Sequence, residues 1–496
     1  MRKPWTLRRA WPALAAAVLT AAWIILPASP VIAATVEVGT PGELAAAFGK
    51  ASGDDVVRLT ADITVAATDE AIMVPVDREV VLDLTGHALT ITGRDRGAGL
   101  GVPERAALII RDSAGGGTLT AQGAPGGAGI GGRDNAGAGT ITLEGGTVSA
   151  TGGHAGAAIG GGYLGGGGTI MITGGTVSAI GGDYGAGIGG GQGGPSGMIT
   201  INGGDVTAAG GNRAPGLGGN SSTPAGAIMI TGGLVVAAGG PAGAGIGGGM
   251  ENPGGRITVT EGTVAATGGA GSAGIGGGWS GAGGEVTIAG GTITSKGGRT
   301  GAGIGGGTEG AGGTTMITGG TVIADGADFA AGIGGGNGGG AAGTITINGG
   351  TVRAIAQRGA GIGGGDLAAG GAVIIGAGAD VTASSVTGSA IGAGAGSTRF
   401  GSLANAGTVT IGSGTLQVPA GATLTNSGRI TGPGTLAGRG TVQNTGAITF
   451  TVTVADGLSV LGNHARFAFD QRQGERGTPD PVPGNGSATE SAAAAR

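Results

Sequence analysis

The chain has 496 residues, of which 129 are glycine, 2% are aromatic and 11% are charged, and its formal net charge is −5. Collagen is excluded because glycine does not recur at every third position, and a disordered filler is disfavoured because Ile and Val recur at fixed places between the glycines. A mildly acidic chain without basic clusters is a poor candidate for binding nucleic acid, and a chain without cysteine has neither disulfides nor thiolate metal sites.

Residues 1–34 have the pattern of an export signal. Four basic residues are followed by an apolar run from Ala13 to Leu26, and Pro27 and Pro30 interrupt it before a small-residue site ending at Ala34. The alternative is an uncleaved membrane anchor, because the run is nearly long enough to span a bilayer. We expect cleavage and therefore a secreted, extracellular protein, with no membrane contact beyond this segment.

Residues 35–96 are predicted to form an N-terminal cap and the first turns of the fold. The amphipathic stretch from Pro41 to Lys50 predicts a short helix, and strand-like alternation follows in DDVVRLTADITV at 54–65 and VVLDLTGHALTITG at 80–93. A helix over the open first turn would keep its strand edges from pairing with other chains.

Residues 97–396 contain an internal repeat, the motif GAGIGGG or a close variant. Its central apolar residue recurs every 29 positions, and Leu100 is a looser first member 30 positions earlier. Nine identical intervals indicate a structural repeat rather than a biased composition. The ten central residues are Ile130, Ile159, Ile188, Leu217, Ile246, Ile275, Ile304, Ile333, Ile362 and Ile391.

A second segment with the same period has the alternation of β-strands. It reads TITLEGGTVSAT at 140–151, TIMITGGTVSAI at 169–180 and RITVTEGTVAAT at 256–267. Ile170 and Ile172 are predicted to point inward, whereas Thr169 and Met171 point outward. Later in the same turn the predicted inward residues are Val177, Ala179, Ala186 and Ile188.

These patterns predict an all-β fold, a parallel β-helix (β-solenoid) with 29-residue three-strand turns and an N-terminal helical cap. Each turn would lie on the previous one at about 4.8 Å, so that equivalent positions form columns. Each turn would bury roughly four larger aliphatic side chains, each of which stabilises the fold by about 1.5–3 kcal/mol.

The period changes after residue 396. Residues 397–465 contain LANAGTV, LTNSGRI and VQNTGAI, in which Asn405, Asn426 and Asn444 are separated by 21 and 18 positions. We predict shorter β-helix turns with Asn stacked at one corner. The composition of residues 466–496, rich in Gly, Pro, Ser and charge, predicts a disordered tail.

The segment Leu82–Thr90, LDLTGHALT, is similar to the LDLNGHTLT segment near the start of right-handed parallel β-helix proteins of the pectate-lyase-like superfamily, with Thr85 in place of the usual Asn. Together with the GAGIGGG and TITINGGTVTA-type repeats, it resembles repetitive bacterial surface proteins described as carbohydrate-binding or adhesin-like. The resemblance covers most of the chain after residue 34. It implies an extracellular or cell-surface role with polysaccharide contact, but repeats arise by duplication and say little about activity.

Two groups of residues are candidate ligand-binding positions. His154, Asp183 and Asn212 share one column on successive turns, and an ordinary solvated corner is the alternative interpretation, because later turns have Pro241, Ala270 and Arg299 there. Aromatic rings that could stack on sugars occur at Tyr163 and Trp279, in the loop after each GIGGG, and incidental surface aromatics are the alternative interpretation.

The other charged residues suggest structure rather than catalysis. Adding 29 places Arg256 over Glu285, predicting an exposed ion pair, and Lys296 over Asp325 and Arg299 over Asp328 follow the same rule. A lyase of this fold would need clustered carboxylates for calcium and a basic residue to take a proton. Acidic residues are scattered instead, so we expect no catalytic residues, no metal and no cofactor.

The predicted function is a non-catalytic secreted or cell-surface scaffold that adheres to a polysaccharide or cell wall. The alternatives are a polysaccharide lyase or hydrolase of the same fold and a purely structural spacer. The enzyme would need acidic and basic residues clustered on adjacent turns, whereas the spacer would have no ligand.

Overall fold

The structure, a computed structural model, describes residues 34–51, 55–220, 226–338, 340–450 and 458–462. Within them the chain forms a right-handed parallel β-solenoid of about 12 turns of about 29 residues, as predicted. The predicted export signal, except Ala34, and the predicted tail lie outside the described residues. The described part contains no helix that is long and apolar enough to span a membrane.

Each turn of the solenoid begins with a strand, and these strands together form the first face. A first corner, of two to four residues in most turns, leads to a second strand, and the second strands form the second face. Both faces belong to one parallel sheet. Strands of the first face are Thr35–Val38, Asp55–Leu59, Glu79–Asp83, Ala107–Arg111, Thr140–Leu143, Thr169–Ile172, Met198–Ile201, Ala227–Ile230, Arg256–Val259, Glu285–Ile288 and Thr314–Ile317. Strands of the second face are Ile63–Val65, Ala88–Thr92, Thr118–Gln122, Thr147–Thr151, Thr176–Ile180, Asp205–Ala209, Leu234–Ala238, Thr263–Thr267, Thr292–Lys296 and Thr321–Asp325.

In two later turns the first and second faces merge into the continuous strands Thr344–Ala356 and Ala372–Ser389. The short strands of the third face form a separate parallel sheet, 12-stranded within the described residues. They are Ile72–Met73, Leu100–Gly101, Ile130–Gly131, Ile159–Gly160, Ile188–Gly189, Leu217–Gly219, Ile246–Gly248, Ile275–Gly276, Ile304–Gly305, Ile333–Gly334, Ile362–Gly363 and Ile391–Gly392.

The predicted columns are confirmed residue by residue. Ile159 pairs with Ile188, and Ile188 pairs with Leu217, each in parallel register across one turn. The inward residues Ile170, Val177 and Ala186 are all at most 1% exposed. The column also extends to one earlier turn than predicted, since Ile72 pairs with Leu100.

The period is not constant in every column. Between two turns the first-face partners Thr314 and Thr344 are 30 positions apart, and the next pair, Thr344 and Ala372, is 28 apart. A register shift between Ile347 and Gly349 absorbs the difference. The third-face column keeps its 29-residue interval because an insertion and a deletion in the corners compensate each other. The third corner before Thr344 is one residue longer than the one before Thr314, and the stretch from Thr351 to Ile362 is one residue shorter than that of the preceding turn.

Third-face glycines allow the turns to approach closely. Gly189 has φ 134°, and a Cβ on it would lie 2.0 Å from the carbonyl oxygen of Gly218 in the next turn. The equivalent glycine recurs in every central turn, so an L-residue there would suffer both an unfavourable φ and a backbone clash. Glycine is therefore needed at this position for the packing of one turn on the next.

The N-terminal end is closed as predicted. The helix α1 spans Pro41–Lys50, and the Thr40 side chain accepts a hydrogen bond from the N–H of Glu43 at 3.3 Å, which caps its N-terminus. Leu44 and Phe48 are at most 1% exposed and belong to the continuous core. Their burial fixes the helix over the first turn.

The LDLTGHALT segment contains a buried carboxylate. The side chain of Asp83 is fully buried, forms an ion pair with Arg111 at 3.3 Å and accepts the N–H of Ser113 at 3.0 Å. Burial opposes its ionisation, but the bonds from Ser113, the charge of Arg111 and the N–H of Thr85 together hold the pKa of Asp83 below its ordinary value. Thr85 has φ 48°, a left-handed conformation that Asn adopts more readily than Thr.

The last turns are shorter and use a different corner. Their strands are Ser402–Asn405, Thr408–Val418, Thr423–Asn426, Arg429–Gly432, Thr435–Gly438, Thr441–Asn444, Ala447–Phe450 and Ser459–Gly462. Asn405 donates from Nδ2 to Oδ1 of Asn426 at 2.7 Å, and Asn426 donates in the same way to Asn444 at 2.8 Å. All three side chains are buried, so the predicted Asn stack is confirmed as an internal ladder.

Candidate functional site

The second corner joins the second face to the third, and the third corner joins the third face to the next turn. Because the strand between them has only two or three residues, the two corners lie side by side. The N–H of Gln192 on a third corner donates to the carbonyl of Ala155 on the preceding turn's second corner at 2.8 Å. The bond recurs one turn at a time, for example from Met250 to Arg213 at 2.8 Å. We call this double row of corners the ridge.

All five candidate binding residues lie on the ridge. His154, Asp183 and Asn212 occupy successive second corners, whereas Tyr163 and Trp279 occupy third corners. Nδ1 of His154 lies 2.8 Å from Oδ2 of Asp183, and both side chains are more than half exposed. Asn212 continues the column through its backbone, since its N–H donates to the carbonyl of Asp183 at 2.6 Å.

An aromatic ring joins the His154 pair. Tyr184, next to Asp183, meets the His154 ring edge to face, with a centroid separation of 5.2 Å and an interplanar angle of 83°. Such a contact orients the imidazole and leaves the pair at the surface. The arrangement can offer hydrogen bonds and a ring face to a ligand.

Trp279 is far from His154 but close to the Asn212 end of the same column. Its backbone N–H donates to the carbonyl of Ala242 at 3.1 Å, and the N–H of Ala242 donates to the carbonyl of Asn212 at 3.0 Å. Ala242 occupies the same corner position as Ala155 three turns further along, so at 4.7–4.9 Å per turn the Trp279 backbone is about 14 Å from the His154 end. The indole, in a residue that is 49% exposed, lies over Gly271, where a Cβ would be only 3.2 Å from the ring. Tyr163 lies beyond the opposite, N-terminal end of the column, where its backbone N–H donates to the carbonyl of Gly126 at 2.7 Å.

One aromatic residue on the ridge, Phe329, was not predicted from the sequence. Phe329 lies between two guanidinium groups, with the Cζ atoms of Arg299 and Arg358 at 5.1 and 5.6 Å from its ring centroid. Arg299 also pairs with Asp328 at 3.4 Å, as predicted. Adding five periods of 29 to Tyr184 leads to Phe329, so the column itself was a usable signal.

A buried carboxylate holds the second of these arginines. Nε of Arg358 donates to Oδ2 of Asp366 at 2.8 Å, and the Asp366 side chain is only 6% exposed. This hydrogen bond and the charge of Asp366 raise the pKa of Arg358 above its ordinary value. The guanidinium is thereby fixed against Phe329 in its charged form.

The other predicted ion pairs lie away from the ridge. Arg256 and Glu285 form two hydrogen bonds, at 3.0 and 3.2 Å, which lower the pKa of Glu285 and raise that of Arg256. Lys296 pairs in register with Asp325, but the structure shows no ion pair between these two residues. Oδ1 of Asp325 instead accepts the N–H of Ala327 at 2.9 Å, because a backbone donor two residues away is nearer than a flexible lysine.

Aromatic side chains divide sharply between the core and the ridge. Of the Trp, Tyr and Phe side chains that the structure describes, Phe48 and Phe400 are buried in the core. Every other one is on the ridge, and none projects from the first or second face. These ridge aromatics are Tyr163, Tyr184, Trp279 and Phe329.

Comparison with known proteins supports the repeat but adds no activity. A family model described as Beta helix repeat matches eight segments, at 141–163, 170–192, 199–221, 228–250, 257–279, 286–308, 316–337 and 345–366. Each match runs from a first-face strand to a third corner. No curated protein and no solved structure matches the chain. With its paired columns and its matched segments, the chain is a β-helix repeat protein, a parallel β-solenoid.

Proposed function

We propose that the protein is an exported, non-catalytic scaffold that binds an extended polysaccharide or cell-wall polymer along the ridge. The observation that carries the proposal is that, among the described residues, every partly exposed aromatic ring lies on the ridge. A spacer without a ligand has no need to collect them there, whereas sugar rings present C–H faces that stack on aromatic side chains.

The spacing of the ridge suits a long ligand. Its aromatic positions are separated by whole turns, so each successive contact lies a multiple of 4.7–4.9 Å further along one axis. Trp279 is two turns from Phe329, for example, and therefore about 10 Å away along the axis. Weak contacts on one rigid body reinforce each other through effective concentration, which favours a polymer over a small molecule.

The ridge carboxylates support a binding role rather than a catalytic one. Asp183 faces His154, Asp328 faces Arg299 and Asp366 faces Arg358, each across a short distance within the protein. Glycoside hydrolysis needs two carboxyl groups placed on either side of one glycosidic bond. In these three pairs the carboxylate serves to position its partner side chain, whereas Glu251 and Glu309, on other third corners of the ridge, form no ion pair with a described residue. Export is proposed from residues 1–34, because their pattern is that of a signal sequence.

Two deletions of equal length test the proposal. Deleting residues 275–303 removes one 29-residue turn that contains Trp279, and deleting residues 246–274 removes a neighbouring turn that has no aromatic residue. Each variant of the full chain is passed over insoluble polysaccharides, such as cellulose, chitin, xylan and bacterial cell walls. We expect both to be retained less than the parent, with the larger loss for the deletion of 275–303.

Point variants separate stacking from the loss of a turn. Trp279→Ala and Phe329→Ala should each weaken retention, and Met229→Ala, on the first face and 41% exposed, should not. Release of reducing or unsaturated sugars from any of these polymers would overturn the non-catalytic assignment. Failure of the parent protein to be retained on every polymer would favour the spacer.

A further inference from the structure

A groove outside the central ridge arises from a step in the length of the third corner. The corner has five residues after Met73 (74–78) and five after Gly101 (102–106), but eight after Gly131 (132–139). The longer corner extends beyond the two shorter ones before it. The result is a groove of about 1040 Å³ at the start of the solenoid.

The groove has an apolar floor between polar walls. Ile72, Met73 and Val76 form the floor, and Met73 and Val76 are 51% and 50% exposed. Leu164 and Leu367, on later third corners, are also exposed, at 55% and 61%, but they do not line this groove. Walls and end of the groove are formed by Arg94, Asp95, Arg96, Glu104, Arg133 and Asp134.

One arginine of the groove is positioned from beneath. Nε of Arg96 lies 2.7 Å from Oδ2 of Asp134, whose side chain is only 6% exposed, while the Arg96 side chain is 72% exposed. A buried carboxylate that holds an exposed guanidinium resembles the Asp366 and Arg358 pair of the ridge. Arg133, the other arginine at this end, forms no ion pair with a described residue.

Charge is concentrated in this part of the molecule. Of the 71 residues from 66 to 136, 15 are charged, compared with 17 of the 260 residues from 137 to 396. The groove lining itself contains three arginines and three carboxylates, so that its formal charge is zero. Both hydrogen-bond donors and acceptors are present at high density, without a net field that would select a strongly charged ligand.

We propose that this groove binds a short stretch, or an end, of a neutral oligosaccharide. Sugar hydroxyls donate to carboxylates and accept from guanidinium groups, so one ligand can satisfy both walls. The C–H faces of its rings would lie on Met73 and Val76. A polyanionic ligand would be repelled by Glu104 and Asp95, and a polycation by the arginines.

The groove lies in the same rows of corners as Trp279 and Phe329, but at the first turns of the solenoid, since Asp134 precedes Trp279 by five periods of 29. The inference shares with the proposed function the class of ligand, a glycan, and to that extent rests on it. It does not require binding along the ridge. A short oligosaccharide can test the groove alone, because it cannot span many turns and gains nothing from repeated contacts.

The experiment titrates the full chain by calorimetry with short malto-, cello-, xylo- and chito-oligosaccharides, and with oligogalacturonates as the charged comparison. We expect saturable binding of at least one neutral series. Arg133→Ala should weaken it roughly tenfold, the size expected for loss of one charged hydrogen bond. Val76→Trp should abolish it by filling the floor.

Two variants serve as controls for fold and for the ridge. Arg105→Ala removes an exposed arginine that pairs with Asp77 and does not line the groove, and Trp279→Ala alters only the ridge. Both should bind the oligosaccharide as the parent does. The proposal is overturned if no neutral series binds, if Val76→Trp binds normally while circular dichroism shows it folded, or if only oligogalacturonate binds. Loss of binding in Trp279→Ala alone would assign the glycan to the ridge.

Discussion

The central turns and the last turns of the solenoid bring adjacent turns into contact in opposite ways. In the central turns a glycine such as Gly189 removes the side chain altogether, and the backbones of adjacent turns approach where a Cβ would be 2.0 Å from a carbonyl oxygen. In the last turns a polar side chain, Asn426, is buried at the corner and bonded on both sides along the axis. The contact in the central turns depends on the absence of a side chain, and the contact in the last turns depends on complete hydrogen bonding of a buried amide.

This difference has a physical consequence for what each region tolerates. The close contact at the third-face glycine involves the backbone only, so it depends on the absence of a side chain. The Asn ladder, in turns of 21 and 18 residues, requires the amide of each turn to lie directly over the next. Central turns should therefore be sensitive to added atoms, whereas the last turns should be sensitive to lost hydrogen bonds.

The largest expected effect comes from breaking the period itself. Deleting residues 246–274, one whole central turn, should leave a shorter solenoid that unfolds cooperatively, and deleting 423–440, one whole short turn, should do the same. Deleting only 246–259 should prevent cooperative unfolding, because it places Ile columns over corners. Thermal unfolding followed by circular dichroism measures this. Equally sharp transitions for the whole-turn and partial deletions would contradict the columnar packing.

A charge within the third-face column should lower the stability of the fold nearly as much. Ile246→Asp buries a carboxylate without a partner between Leu217 and Ile275, and we expect a loss on the order of 4 kcal/mol in the free energy of unfolding. Thr258→Asp, on the outward side of the first face, should cost less than about 0.5 kcal/mol. Denaturant unfolding compares them. Similar midpoints for the two variants would mean that the inward and outward faces are assigned wrongly.

An added methyl group tests the glycine device. Gly189→Ala should lower the free energy of unfolding by about 3 kcal/mol, because the Cβ meets the Gly218 carbonyl and φ is 134°. Gly115→Ala is the matched control, since Gly115 also has a positive φ, 83°, but a Cβ there would meet nothing within 4 Å. Its cost should be roughly 1 kcal/mol. A loss of unfolding free energy in Gly189→Ala no larger than in the control would show that the close approach of the backbones does not require glycine at this position.

A lost amide tests the Asn device. Asn426→Ala removes both of its ladder bonds, to Asn405 and to Asn444, and should cost about 2 kcal/mol. Gln443→Ala, at an exposed position of the same short turns, should be neutral within about 0.5 kcal/mol. Hydrogen exchange of the amides around residues 402–450 would localise the effect. If Asn426→Ala were as stable as the control, the ladder would not be what holds these turns.

The smallest expected effect is a gain. Leu164 has φ 57° and is 55% exposed, whereas the equivalent residue of the next turn is Gly193. Leu164→Gly should stabilise the fold by about 0.5 kcal/mol, because relief of the left-handed conformation exceeds the entropic cost of glycine. Leu234→Gly, in a second-face strand, should destabilise it. A Leu164→Gly variant that melts below the parent would indicate that this side chain makes a stabilising contact.

Much of the architecture could be predicted because a repeat is nearly one-dimensional. The interval between Ile159 and Ile188 predicted which residues lie over each other, and alternation around Ile170 predicted which face is buried. The same reasoning predicted the ladder from Asn405 to Asn444 and the cap helix over 41–50. It failed where columns are locally irregular, as between Thr314 and Thr344, because a compensated insertion leaves the long-range period unchanged.

The candidate site could be predicted only in part. His154 and Asp183 were placed together because they are one period apart, but Phe329 between Arg299 and Arg358 was missed because a lone aromatic has no signature until its column is known. An ion pair between Lys296 and Asp325 was predicted from register, but it does not form, because the Asp325 carboxylate accepts the backbone N–H of Ala327 instead. The register predicts which Cα atoms are close to each other, whereas the hydrogen-bond partner of a side chain depends on which other donors and acceptors lie nearby.

The sequence by itself determined the axis of the molecule: the period, the inward columns and the change of turn type near residue 396. Only the tertiary structure decided which corners contact each other around that axis. The third corner of one turn meets the second corner of the preceding turn to form the ridge, through bonds such as Gln192 to Ala155, and a three-residue step after Gly131 forms a groove. The reason is that periodicity specifies contacts between turns, whereas the distance between corners within a turn depends on how closely the backbone can pack across the interior.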